Sequence, residues 1–232
     1  LLELLPFSSK LLFTSLFTHI NNNIFSALLG RFYTIQQAGY YSQGSKWTTM
    51  GYSTIFGMIN SVGQPVFREA SEDRQRLQNI FRKLMRFTAF VSFPAMLGLA
   101  IVSQELIVIS ITEKWLPCVP VMQILCVWGA FMPISTLYSN LMNSIGRPNV
   151  YMWNTIALGI FQLLCVWGSY PYGLNIMLIV YTAANIFWLL IWHYFAHKHI
   201  GISLLNTLKD IAPYLIISVA VMTFTYWVAG YV

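Results

Sequence analysis

Charge is what this 232-residue sequence has least of. Asp, Glu, Lys and Arg together make up 9% of it, where a soluble domain carries about 25%. So few charges cannot clothe a water-facing surface. With 57% hydrophobic and 16% aromatic residues, the composition is that of a membrane protein. Cysteine is scarce as well: Cys118, Cys126 and Cys165 form no CxxC pair and no zinc spacing, which leaves them as small packing residues. Catalytic signatures are lacking, with no GxSxG, HExxH, P-loop or GxGxxG. The two aspartates, Asp73 and Asp210, both read as loop residues, so no intramembrane carboxylate pair is expected. His193 and His197 stand four apart without a nearby carboxylate or cysteine and read as interfacial residues beside Trp192 and Tyr194, not as metal ligands. A retinal Schiff base needs a lysine in the last helix, and 211–232 has none. The expectation is therefore not an enzyme, with no cofactor and no metal. The opening "LLELLPFSSK" has no initiating methionine and no recognisable signal peptide, and reads as the start of a fragment.

What is present is a series of apolar runs. A spanning helix needs about 20 mostly apolar residues, and seven stretches qualify: 11–30, 47–66, 86–110, 119–142, 150–169, 174–195 and 211–231. Strands are excluded, because open sheet edges are not satisfied in lipid. The breaks are short and polar or marked by Pro and Gly, among them "GRFYTIQQAGYYSQGSKW", "TEKWLPCVP", "NSIGRPN", "YPYG" and "HKHIGISLLNTLKD". The fold class is all-α and polytopic, a single transmembrane helical lobe over 1–232.

Basic residues are distributed unevenly over those breaks. Counted by alternate connections, one side receives Lys10, Arg68, Arg74, Arg76, Arg82, Lys83, Arg86, Arg147, Lys198 and Lys209, and the other Arg31, Lys46 and Lys114. Positive charge marks the cytoplasmic side, so the N-terminal end and the 67–86 connection are expected in the cytoplasm. This accounts for the sequence pI near 9.3 without nucleic acid as a partner. Within "VFREASEDRQRLQNIFRKLMRF", Ser71 is placed to cap a helix with Glu72 and Asp73 in its first turn. Leu77, Ile80, Phe81 and Leu84 repeat at helical spacing. The segment reads as a basic amphipathic helix at the interface, serving either as an anchor to anionic lipid or as an attractor for an anionic lipid substrate.

Polar residues also occur where lipid is expected. Ser15, His19, Asn22 and Ser26 share one face of the first span, flanked by Asn21 and Asn23. Thr49, Ser53, Asn60 and Gln64 share a broad face of the second. Such groups face protein or water, as walls of a hydrated cavity or as helix-packing contacts. Pro94 and Pro133 fall inside spans and are expected to bend them.

Five pieces resemble, in order, the C-terminal portion of Wzx-type polysaccharide repeat-unit flippases: "NNNIFSALLGRFYTIQQAGYYSQGSKW", "INSVGQPVFREASEDRQRLQNIFRKLMRF", "ELIVISITEKWLPCVPVMQIL" with Trp115, "NSIGRPNVYMW" with Gly146 and Arg147, and "IGISLLNTLKDIAPYL". The resemblance implies most of the C-terminal lobe of a MATE-like two-lobe transporter whose N-terminal lobe would be its partner. It implies a bacterial inner-membrane protein that moves undecaprenyl-pyrophosphate-linked oligosaccharides from the cytoplasmic to the periplasmic leaflet. The partners it implies are the lipid-linked substrate, membrane lipids and that N-terminal lobe. A MATE-type drug exporter and a membrane glycosyltransferase or polymer ligase are the alternatives. The first expects intramembrane carboxylates and the second a large outer loop, and this sequence offers neither. Substrate-binding candidates are Arg31 and Lys46 at the outer end of a cavity, with His19, Asn22 and Asn60 deeper. Arg31 and Lys46 also read as interfacial anchors.

Overall fold

The computed structural model describes residues 29–229. Residues 29–32 are helical. Helix α1, Ile35–Glu69, follows at once. Its start is a capping box: Thr34 Oγ1 accepts from the Gln37 amide at 3.2 Å, and Gln37 Oε1 accepts from the Thr34 amide at 3.3 Å. The polar stretch expected as a break is thus mostly helix, and the second predicted span begins twelve residues into α1. Polar side chains lowered the apolar signal there but did not stop the helix.

A turn over 70–73 leads to α2, Arg74–Ile101. Its cap is Asp73, which accepts from Gln75 N at 2.9 Å and Arg76 N at 3.0 Å. Ser71 instead donates to the Arg68 carbonyl at 2.7 Å. The expected cap is corrected: a carboxylate next to the first turn satisfies two orphan amides and meets the positive end of the helix. The basic segment 67–86 is thus split: Arg68 stands in the last turn of α1, and Arg74 to Arg86 lie in the first turns of α2. Leu77 and Phe81 are buried, with Phe81 ringed by Phe67 at 5.9 Å and Tyr138 at 5.2 Å.

The span predicted over 86–110 breaks at Val102. Short α3, Ser103–Ile111, and a 3-10 turn, Glu113–Cys118, carry the chain back. Helix α4, Val119–Ser144, ends in a Schellman motif at Gly146 (φ 71°), with Gly146 N bonded to Asn143 O and Arg147 N to Met142 O. Helix α5, Pro148–Ser169, has proline in its first turn. A 3-10 turn, Tyr170–Tyr172, leads to α6, Leu174–Ile200, and α7 is Leu204–Ala229. Asp210, expected in a loop, instead lies in α7 and is buried. The apolar run that begins at 211 had hidden the two helical turns before it.

Helix α4 is the hub, packing on α1, α2 and α6, while α5 leans on α6 and α7 on α2. Of the apolar window of α4 56% is buried, against 6% for α7, which makes α7 the outermost helix. Pro133 stands inside the hub without ending it, and Ser92 Oγ of α2 donates to Ala130 O nearby at 2.7 Å.

Among the described residues five helical stretches are long and apolar enough to cross a membrane: Arg74–Ile101, Glu113–Ser144, Pro148–Tyr172, Leu174–Ile200 and Leu204–Val228. They correspond to the last five predicted spans. The second lies in α1, which is not among the five, and the first, 11–30, falls outside the described residues except for its last two. The protein is all-α and multi-pass, and seven spans are not established.

Alternate connections fall at opposite ends of the bundle. At one end Arg74 Nε and the Gln78 amide donate to Ile200 O, and Ser144 Oγ donates to Gln64 O at 3.2 Å. At the other, Tyr33 OH donates to Tyr170 O at 2.8 Å and Gln123 Nε2 to Ala100 O at 3.3 Å. Partial burial raises the Tyr33 hydroxyl above its usual value, which keeps it a donor. The basic connections, with Arg68, Arg74, Arg147 and Lys198, share the first end.

Candidate functional site

Helices α1 and α4 approach closely because glycine stands at the crossing. A Cβ on Gly44 would lie 3.0 Å from Val121 Cγ1 and 3.1 Å from the Met122 amide nitrogen of α4, and one on Gly129 would lie 3.3 Å from Thr48 Cγ2 and 3.4 Å from Tyr52 Cδ1 of α1. Small residues allow such backbone approach in membranes. Thr48 completes the seam, its hydroxyl donating to Gly44 O at 2.8 Å and lying 3.8 Å from Cys126 Sγ. Beside this seam the helices part around a cavity of about 490 Å³, within the range of ligand pockets, about 300–1,000 Å³.

The wall given by α1 is Tyr41, Ser42, Ser45, Lys46, Thr48, Thr49 and Tyr52. Helix α4 adds Leu125, Trp128 and Met132, α5 adds Gln162 and Leu163, and α6 adds Tyr181. Gln162 is held in place, donating from Nε2 to Asn185 Oδ1 at 2.7 Å, while Asn185 donates to Tyr181 O at 2.7 Å. Among the described residues, Lys46 is the one formal cation of this lining. Hydroxyls that both donate and accept, an amide, flat aromatic faces and an ammonium suit a polyhydroxylated ligand with negative charge.

Among the described residues, Lys46 is the one sequence-derived candidate that lines this cavity. Arg31 is exposed at the bundle end, in the stretch where Phe32 stacks on Tyr170 at 4.6 Å. Asn60 lies fourteen residues further along α1, about 21 Å at 1.5 Å per residue. There Asn140 Nδ2 donates to Asn60 Oδ1 at 2.9 Å, and Gln64 Nε2 donates to Asn140 Oδ1 at 3.0 Å. That amide chain joins α1 to α4. His19 and Asn22 lie outside the described residues. Ser53 bonds back to Met50 O at 3.0 Å. His193 and His197 do not converge: Nδ1 of the first meets Tyr138 OH at 3.2 Å and that of the second Ile202 O at 2.9 Å.

A family model described as polysaccharide biosynthesis protein matches residues 1–120 of the chain. The chain belongs to this family. A membrane protein of the cps region of Klebsiella pneumoniae is 30% identical over 158 residues, covering 68% of this chain and 33% of the relative. The lipopolysaccharide biosynthesis protein WzxC of Escherichia coli K12 is 27% identical over 158 residues, 68% of this chain and 32% of the relative. The teichuronic acid biosynthesis protein TuaB of Bacillus subtilis 168 is 24% identical over 160 residues, 68% and 33% respectively. The chain spans about a third of the length of the curated relatives it matches. These relatives bear out the resemblance to Wzx-type polysaccharide transporters. No solved structure matches the chain significantly.

The match to the polysaccharide biosynthesis family covers α1 and with it the polar wall of the cavity. The opposite wall, with Trp128, Gln162 and Tyr181, lies beyond it. Sequence reasoning missed those three. Gln162 left a signal, as the single amide within the apolar run "IALGIFQLLCV". Trp128 left none, since membrane helices carry tryptophan for many reasons.

Proposed function

We propose that this chain forms one lobe of a transporter that moves lipid-linked oligosaccharide repeat units across the bacterial inner membrane for surface polysaccharide synthesis. The observation that carries the reading is the cavity beside Gly44 and Gly129, with Lys46 among hydroxyls, Gln162 and Trp128. In this reading the glycan sits in the cavity, sugar faces against Trp128 and the tyrosines, sugar hydroxyls on Ser45, Thr49 and Gln162. Lys46 meets the anionic charge of the pyrophosphate or the glycan. The prenyl tail stays in lipid, leaving through a lateral opening towards the N-terminal lobe. In this reading the end bearing Arg68, Arg74 and Arg147 faces the cytoplasm, which the excess of basic residues there supports. Membership of the polysaccharide biosynthesis family and the three named relatives support the assignment. The role is transport, without covalent chemistry on the substrate.

The test is surface polysaccharide measured in cells that depend on the full-length transporter. A charge-assisted hydrogen bond contributes about 1.5–3 kcal/mol, so Lys46→Met lowers export about tenfold or more at equal protein level, while Lys46→Arg keeps most of it. Trp128→Ala lowers export as well. Parental export from both Lys46→Met and Trp128→Ala refutes the reading.

A further inference from the structure

Among the described residues, the buried side chains include one carboxylate, Asp210, and one imidazole, His193. Asp210 is committed, its carboxylate gripped by Arg82 at 2.6 and 3.1 Å with Arg86 at 3.7 Å. His193 is not. It is 7% exposed at a junction of three helices. Tyr138 of α4 places its hydroxyl 3.2 Å from Nδ1, Thr207 of α7 places Oγ1 at 3.5 Å, and Nε2 is buried with no hydrogen-bond partner.

The charged and titratable groups around it are few. From α4 comes Tyr138. From its own helix comes His197, one turn on, the histidine whose charge acts on it. Helix α7 brings the neutral Thr207, with Asp210 three residues later under Arg82 and Arg86 of α2. Arg147, at the start of α5, acts on His199 instead.

We propose that His193 is a proton-binding site that sets how α7 sits against α4 and α6. In the neutral ring, Nδ1 serves the two hydroxyls in either tautomer, and Nε2 rests in apolar packing. A second proton puts a positive charge and an N–H donor where no acceptor lies, and a buried unpaired charge is strongly unfavourable. The junction relieves this by parting, so that the imidazolium reaches water or the Asp210 carboxylate. The neutral ring therefore favours the packing seen here and the protonated ring favours a displaced α7. Helix α7 is suited to such movement, since α2 is its main support and 6% of its apolar window is buried.

The experiment uses the full-length transporter in liposomes, in a cysteine-free background. Spin labels at Asn149→Cys and Leu205→Cys, both exposed positions on α5 and α7, report their separation by pulsed electron paramagnetic resonance. As pH falls from about 8 to 5, the range in which histidine changes charge, a second distance population grows in with the steepness of one ionisation. It is lost in His193→Gln and kept in His197→Gln. Tyr138→Phe, which also serves if His193→Gln does not insert, moves the midpoint to higher pH, because the packed arrangement loses the hydrogen bond at Nδ1 while the displaced one, in which the ring reaches water, does not. A single distance at every pH, the same transition in His193→Gln, or an unmoved midpoint in Tyr138→Phe overturns the proposal. The readout needs no glycan: a protein that shows the transition yet moves no lipid-linked sugar keeps this inference and loses the transport reading.

Discussion

Replacing Asp210 with asparagine removes the negative charge and one of the two oxygens that Arg82 grips, and leaves two guanidinium groups facing each other without a counter-charge. Breaking a buried pair costs about 3–5 kcal/mol. Here the arginine side chains are 35% and 47% exposed, so solvent screens part of that and about 2 kcal/mol is expected. Thermal unfolding in detergent should show a lower Tm for Asp210→Asn, and the paired change Arg82→Met with Asp210→Leu should recover much of it. Gly201, at φ 77°, closes α6, and the Arg74 guanidinium occupies the place of a Cβ. Gly201→Ala adds about 1–2 kcal/mol of left-handed strain and displaces Arg74 from Ile200 O. Tm should fall by more than it does for Gly146→Ala, which has a similar φ but open space around it. At this scale the sequence spoke unevenly. Lys46 stood out as a lone cation in a polar stretch, whereas Asn60 stood out equally and turned out to bond Asn140. A polar side chain on a membrane helix announces that it needs a partner, not whether that partner is substrate or protein.

Helices were more legible than their ends. The last five spans were readable because twenty apolar residues have few other fates in a lipid-facing protein. Helix α1 was half hidden, since hydropathy does not register a helix that turns hydroxyls towards a cavity, although Thr34 and Gln37 spell out its capping box. Asp73 and Ser71 competed for one cap, and the carboxylate two residues nearer the helix won. The α1–α4 seam could not be read, because a glycine in one helix says nothing of which helix it meets. Gly44→Ala should cost about 1–3 kcal/mol of overpacking, because the Met122 backbone nitrogen at 3.1 Å has no freedom to yield. The same substitution at Gly57, with nothing within 4 Å, should be tolerated. Protein yield and Tm of the pair would separate the two outcomes.

For the whole molecule, the arrangement of connections makes a two-sided prediction. Arg68→Cys at one end and Tyr172→Cys at the other, both exposed, should react with a membrane-impermeant thiol reagent from opposite sides in intact cells and inverted vesicles. With the basic end inside, Tyr172→Cys labels in cells and Arg68→Cys only in inverted vesicles; the reverse pattern would turn the molecule over. Helix α1 ties those two surfaces together. Its 35 residues make a rod of about 52 Å, against a hydrocarbon layer of about 30 Å. A rod that outreaches the bilayer acts as a lever: tilted by about 5° about one end, its far end swings by about 4.5 Å at that length. Any change in the tilt of α1 is thereby enlarged at its far end and stays smaller at the glycine seam nearer its start.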